Sequence, residues 1–211
     1  MIIPLTEEHH PSQIQSVMDL MEKFKMNDMI YCDVGACIGE LLQYYSQFMS
    51  SGYAFEPNKG NYDFLKENYS DKKVIIENVA VSSSCGTMDF LSTDNVGDHC
   101  SRNKKWADAN TESSEYTVKS IPCITLDSYF EDKEVDFIKI DVEGEEWEVL
   151  YGAKKLMQNR NIIFQVEFHS HDNWNYRDFI YENGYEIYSL KLEKYDRDCT
   201  RPYQAFLIKG M

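Results

Sequence analysis

What the 211-residue chain lacks narrows its class first. None of its six cysteines (Cys32, Cys37, Cys85, Cys100, Cys123, Cys199) stands three residues from another, so no C-x-x-C pair is present to bind zinc or run a dithiol cycle. They read as reduced thiols, not as a disulfide framework. No apolar run nears the roughly 18 residues of a membrane helix, and the opening Met1-Ile2-Ile3-Pro4 lacks the basic and apolar regions of a secretion signal. A cytoplasmic protein is expected. Positive charge is also scarce: 21 Lys and Arg against 36 Asp and Glu leave a net charge of −15. Such a surface repels phosphate backbones and anionic lipid, which argues against nucleic acid and membrane as partners. The one basic run, Arg102-Asn103-Lys104-Lys105, is short. Repeats and low-complexity tracts are absent. With 43% hydrophobic and 14% aromatic residues the chain can bury a core, and one domain over 1–211 is expected.

Hydrophobic periodicity outlines that domain. Residues 12–25 place Ile14, Val17, Met18 and Met21 on one helical face, opening after Pro11-Ser12. Strands are expected at 29–34, 53–56 and 74–79, with helices at 40–49 and 61–69 between them. A short helix at 125–130 precedes strands at 135–141 and 162–169, which flank a helix over 145–157 with Leu150, Ala153, Leu156 and Met157 as core contacts. Another helix at 174–183 ends at Gly184, and 185–192 with 204–209 form a closing antiparallel pair. Alternation of this kind implies a mostly parallel sheet in an α/β fold. Between 82 and 120 only 87–91 reads as strand; the polar stretch 92–114 has the length of a substrate-covering loop.

The most informative stretch is Tyr31-Cys32-Asp33-Val34-Gly35-Ala36-Cys37-Ile38-Gly39, followed by Phe55-Glu56-Pro57. A strand that turns at glycine into a helix, with an acidic residue after the next strand, is how α/β proteins hold an adenosine-containing ligand. A G-x-G-x-x-G dinucleotide turn starting at Gly35 would need glycine where Cys37 and Glu40 stand. A carboxylate at that helix start opposes a pyrophosphate, which disfavours NAD. An amino acid joined to adenosine suits the turn better: Asp33 near the ammonium, the turn's amides near the carboxylate, and Glu56 accepting the ribose hydroxyls. S-adenosylmethionine has those parts. The bland alternative is that Gly35 and Gly39 only shape a tight turn; Glu56-Pro57 weighs against it.

The blocks Asp33-Val34-Gly35-Ala36, Phe55-Glu56-Pro57, Asn78-Val79-Ala80-Val81, Thr125-Leu126-Asp127 and Ile138-Lys139-Ile140-Asp141-Val142-Glu143-Gly144-Glu145 resemble the FkbM-type methyltransferases. The resemblance runs from about Tyr31 to about His169. It implies a class I methyltransferase (Rossmann-like) fold: a mostly parallel seven-stranded sheet with helices on both faces. It also implies O-methylation of a sugar or polyketide hydroxyl. With it, Asp33, Gly35, Ala36, Cys37, Gly39, Glu56, Pro57, Asn78, Ala80 and Asp141 become the expected cofactor-binding residues. One position departs from the pattern: Cys37 stands where the family commonly has Asn. A thiol cannot supply an amide's two donors and acceptor.

Alternation on the later strands puts Phe137, Lys139 and Asp141 on one face and Gln165, Glu167 and His169 on a matching one. Lys139 inside a buried strand requires a partner, and a Lys139–Glu167 ion pair is expected. Asp141, Glu143 and His169 fall at carboxyl ends of strands, the edge where α/β sheets bind ligands. They are the expected catalytic residues, with His169, or Asp141 acting with Glu143, as base. His169-Ser170-His171-Asp172 with Asp141 and Glu143 offers metal-type donors, but no dedicated spacing exists and no metal is expected. Asp98-His99-Cys100 reads as loop, and Trp106 and Trp174 as aromatics beside loops suited to sugar stacking. Two readings of function stay open: an O-methyltransferase acting on a carbohydrate or other small-molecule hydroxyl, and a cofactor-binding module with an interaction or sensing role, which Cys37 keeps alive. Methylation of protein or nucleic acid is disfavoured by the acidic charge and by the lack of an Asn/Asp-Pro-Pro-Tyr type motif after the fourth strand. Self-association into a homo-oligomer is left open.

Overall fold

The computed structural model describes residues 10–45, 49–69, 73–93, 96–97, 117–169, 174 and 177–210. In chain order the elements are α1 (His10–Phe24), β1 (Ile30–Val34), α2 (Leu42–Tyr45), β2 (Ser51–Phe55), α3 (Lys59–Tyr69), β3 (Val74–Glu77), β4 (Ala80–Val81), β5 (Gly86–Ser92), β6 (Thr117–Ile124), α4 (Leu126–Tyr129), β7 (Phe137–Ile140), α5 (Glu146–Tyr151), α6 (Lys154–Asn159), β8 (Ile163–Glu167), α7 (Arg177–Glu182), β9 (Tyr185–Tyr188) and β10 (Gln204–Lys209). The main sheet has the order β3-β2-β1-β7-β8-β10-β9. Its first five strands pair in parallel, and β10 runs antiparallel to both β8 and β9. This is the expected seven-stranded architecture with its antiparallel end.

The central strands are buried on both faces, which is why they read as near-continuous apolar runs. Cys32, Val34, Ile138, Ile140, Phe164 and Val166 face one core with Trp147, Leu150, Leu156 and Ile180 from the helices. Tyr31, Phe137, Ile163 and Phe206 face the other, under Val17, Leu20, Leu42, Tyr45 and Leu65. On α1 the buried face centres on Val17 and Leu20, while Met18, expected inside, is 48% exposed. No described helix is long and apolar enough to cross a membrane.

A second, three-stranded sheet of order β4-β6-β5 was not legible in the sequence. The strand expected at 74–79 stops at Glu77, and Ala80–Val81 pairs with Cys123 and Ile124 of β6 instead. β6 itself carries Pro122, Lys119 and Ser120, which break the strand pattern; antiparallel pairing from Gly86↔Cys123 to Ser92↔Thr117 overrides that local signal. The helix expected over 145–157 is two helices, α5 and α6. They part at Gly152, where an added Cβ would lie 2.1 Å from the Ser82 carbonyl oxygen. Asp127 anchors the second of them, its carboxylate accepting from Lys155 N and Leu156 N at 2.9 Å each. Thr125 caps α4 through Ser128 N at 3.0 Å. The Thr125-Leu126-Asp127 block is therefore a capping device.

Candidate functional site

The glycine turn is built backbone against backbone. Gly35 N and Ala36 N both donate to Phe55 O (3.0 and 3.2 Å), and Asp141 N donates to Val34 O (3.0 Å). Gly35 has φ +81°, and a Cβ there would sit 1.9 Å from the Asp141 carbonyl oxygen, so only glycine fits between the ends of β1 and β7. Gly39, at φ +83°, packs under Leu65 and Tyr69. The turn's amides, expected to face a ligand carboxylate, are engaged inside the protein: Cys37 N donates to Glu56 Oε2 (2.8 Å) and Gly39 N to Ala36 O (2.8 Å).

Glu56, 5% exposed at the end of β2, also accepts from Asn58 N at 2.8 Å through Oε1. Burial pushes its carboxyl up to about 7, against the opposing pull of the Asn58 and Cys37 amides. Asn78 Nδ2 donates to Glu56 O (2.8 Å) and Pro57 O (3.1 Å), so this amide fixes the loop that carries the carboxylate. Ala80 lies in the small sheet opposite Cys123. From the polar stretch 92–114, Gly97 N donates to Asn61 Oδ1 (2.8 Å), and Asn61 Nδ2 approaches Cys37 Sγ at 3.7 Å.

Cys37 itself holds φ +48°. That left-handed conformation costs an L-residue roughly 1–2 kcal/mol, and Asn tolerates it best after glycine. The family's Asn therefore has a backbone reason. Cys37→Asn is expected to raise stability by about 0.5–1 kcal/mol, read as a higher urea midpoint at unchanged m-value.

Behind the turn, Lys139 corrects an expectation. Its Nζ lies 3.2 Å from Asp141 Oδ2 and 3.3 Å from Asp33 Oδ1, and it does not pair with Glu167. Register decides this: Asp33 stands directly opposite Lys139 on β1, while its β8 neighbour is Gln165. Burial would push the ammonium down, but Asp141 and Asp33 together hold it well above its ordinary value. Asp33, expected beside a cofactor ammonium, is 1% exposed and gives its carboxylate to Lys139 instead.

At the ends of β7 and β8, four carboxylates surround His169. Nδ1 is 2.9 Å from Glu146 Oε1, and Nε2 is 3.2 Å from Glu143 Oε2, 3.3 Å from Glu167 Oε1 and 3.9 Å from Asp141 Oδ1. Burial alone would lower the imidazole, but Glu146, Glu167, Glu143 and Asp141 raise it to about 11. Burial likewise opposes charge on Glu167, yet bonds from His169, Tyr203 and Gln204 bring it down to about 2. The structure thus joins Asp141, Glu143 and His169 as expected. It adds Glu146 and Glu167, whose sequence signals were a first-turn helix charge and a supposed lysine partner. Glu143 turns at φ +57° ahead of Gly144, whose N donates to Glu146 Oε1 (2.8 Å).

Trp174, read as a stacking surface, is 8% exposed, packs against Trp147 and Phe168, and donates Nε1–H to Cys199 O (3.0 Å). Asp98-His99-Cys100, Trp106, Ser170, His171, Asp172 and most of 92–114 lie outside the described residues.

The methyltransferase FkbM domain model matches residues 33–187, which include the turn, Glu56 and the His169 cluster. The hexuronic acid methyltransferase AglP of Haloferax volcanii is 32% identical over 154 residues, 72% of this chain and 60% of that protein. A methyltransferase FkbM structure from Methylobacillus flagellatus KT aligns with TM-score 0.57 at 16% identity, covering 85% of this chain and 43% of that one. A precorrin-6y C5,15-methyltransferase structure from Geobacter metallireducens GS-15 aligns with TM-score 0.54 at 12% identity, covering 99% and 90%. The two structures share the fold, and the chain spans less than two thirds of the length of AglP and of the Methylobacillus protein. Since the family match runs over most of its length, the chain belongs to the FkbM methyltransferase family.

Proposed function

We propose that the protein is an S-adenosylmethionine-dependent O-methyltransferase whose acceptor is a hydroxyl of a carbohydrate. The observation that carries this reading is the placement of two polar centres on one sheet edge: the buried Glu56 carboxylate beside the glycine turn, and the carboxylate–imidazole cluster across Asp141. S-adenosylmethionine, when bound, supplies the electrophilic methyl group. Glu56 fits its ribose, because Cys37 N, Asn58 N and the Asn61 side chain hold three of the roughly four lone-pair sites of its carboxylate, which leaves one for a hydroxyl. Gly35, Ala36 and Cys37 form the floor beside it, and Pro57 with Asn78 keeps Glu56 in place. Gly97, in the stretch expected to cover the site, donates to Asn61 beside Cys37.

On the acceptor side, Asp141 and Glu143 take the hydroxyl proton. The imidazole of His169, held as a cation by its four carboxylates, orients them and is not the base in that state. Alignment contributes at most roughly 7–11 kcal/mol and a positioned base a factor of roughly 10²–10⁴. The carbohydrate class rests on AglP, a hexuronic acid methyltransferase by name, together with the acidic surface that repels nucleic acid. Calorimetry with S-adenosylmethionine, then mass spectrometry of hexoses and hexuronic acids incubated with methyl-labelled cofactor, tests the reading. Glu143→Gln is expected to lower turnover by roughly 10²-fold or more with cofactor affinity unchanged. Cofactor binding without product from any acceptor would favour a binding module; no cofactor heat from folded protein would end both readings.

A further inference from the structure

We infer that the cluster at the ends of β7 and β8 is a divalent-cation site, with Asp141, Glu167 and His169 as ligands and Glu146 orienting the imidazole. One donor atom from each of Asp141, Glu167 and His169 lies within 4.8 Å of the other two. Metal–ligand bonds of roughly 2.1 Å place donors about 3 Å apart when adjacent and about 4.2 Å when opposite. The distances from His169 Nε2 to Glu143, Glu167 and Asp141, 3.2 to 3.9 Å, already fall in that span.

Two further observations separate this cluster from a patch of acidic side chains. First, the imidazole is arranged as a ligand. Its Nδ1 faces Glu146 Oε1 at 2.9 Å, which places Nε2 toward the other three carboxylates. A metal-bound histidine donates its other ring N–H to a carboxylate in the same way. Second, Glu146 is 1% exposed, and its Oε2 has no hydrogen-bond partner among the described residues. A buried anionic oxygen without a donor is costly unless a cation lies close. A protonated imidazole sets one positive charge against four carboxylates, and Lys139 reaches Asp141 only through Oδ2, so Oδ1 is turned to the His169 side. A divalent ion would cancel more of this charge than a proton does.

The donor set, one nitrogen with hard oxygens, suits manganese or a neighbouring first-row ion better than the all-oxygen sites of calcium. Chain spacing hid the site because its ligands come from two strands that only the sheet makes adjacent. The role of the ion rests on the proposed function and changes it in two places: with the ion bound, His169 gives up its Nε2 proton to become a neutral ligand, and Glu143, freed from Asp141, takes the hydroxyl proton. It would hold vicinal oxygens or a carboxylate of the sugar, which the bare cluster would repel, and acidify the accepting hydroxyl.

The test is manganous ion added to chelator-treated full-length protein, with free ion read by its six-line electron paramagnetic resonance signal. One ion per chain should disappear from solution, and the bound ion should show nitrogen coupling from an imidazole in pulsed measurements on the unaltered protein. Glu167→Gln should weaken binding by at least roughly 100-fold and Glu146→Gln by roughly 10- to 100-fold, while the exposed Glu131→Gln should leave it unchanged. No bound ion, bound ion without nitrogen coupling, or equal affinity in a folded Glu167→Gln variant would overturn the assignment. Cofactor calorimetry in chelator separates the two claims. Cofactor heat without metal binding removes the cation site and leaves the transferase, whereas metal binding without cofactor heat does the reverse.

Discussion

Lys139→Met is expected to destabilise the fold by about 3–5 kcal/mol, a large part of the roughly 5–15 kcal/mol that holds a domain together. The cause is what it leaves behind. Asp33 and Asp141 share the Lys139 ammonium, and the side chains of Lys139 and Asp33 are 9% and 1% exposed, so water cannot replace the lost charge. Methionine fills most of the volume, which makes the loss electrostatic and not a cavity effect. The double variant Asp33→Asn/Lys139→Met should recover part of the loss, giving a coupling energy of about 1–3 kcal/mol in urea unfolding. Lowering the pH should also narrow the gap between Lys139→Met and the parent, since a protonated Asp33 needs no counter-charge. Equal stabilities at pH 7 would show that the triad contributes nothing to the fold.

That lysine also marks where sequence reasoning reaches and stops. Period-2 alternation placed Lys139 on a buried face and required a counter-charge, but which acid supplies it depends on register. The pairing Asp33↔Lys139 exists only once β1 and β7 are neighbours. The strand–helix alternation and the two glycines were legible because each follows from a local constraint: two-sided burial, or a positive φ. β6 was not, because its Pro122 and polar neighbours contradict strand propensity and only pairing with β5 rescues it. That Asp141, Glu143 and His169 lie together was legible from their positions at strand ends. Glu146 was missed because an acid in a helix's first turn has an ordinary explanation, and its burial against His169 appears only when β7 and β8 lie side by side.

Glu56→Gln should weaken S-adenosylmethionine binding by roughly 10- to 150-fold, the loss of a charge-assisted bond to a ribose hydroxyl worth about 1.5–3 kcal/mol. The same substitution has a second, separable signature in stability. In the folded protein burial lifts the Glu56 carboxyl from its ordinary 4.5 to about 7. Between those values the folded chain keeps a proton that the unfolded chain has lost. Its contribution therefore favours folding below pH 4.5 and declines as pH rises to about 7, by about 3 kcal/mol in all. Glutamine carries no such titration. It must, however, leave one of the two N–H donors, Cys37 N or Asn58 N, without an acceptor, at about 1–3 kcal/mol. The variant should then be the less stable protein at pH 4.5 and close to the parent or above it at pH 8, a crossing that a simple packing defect would not produce. Cofactor affinity of the parent should fall below pH 7 as Glu56 takes its proton, while that of the variant stays flat. If denaturant unfolding gave parallel stability curves for the two proteins across this range, burial would not hold a proton on Glu56, and the expected loss of cofactor affinity below pH 7 would lose its cause.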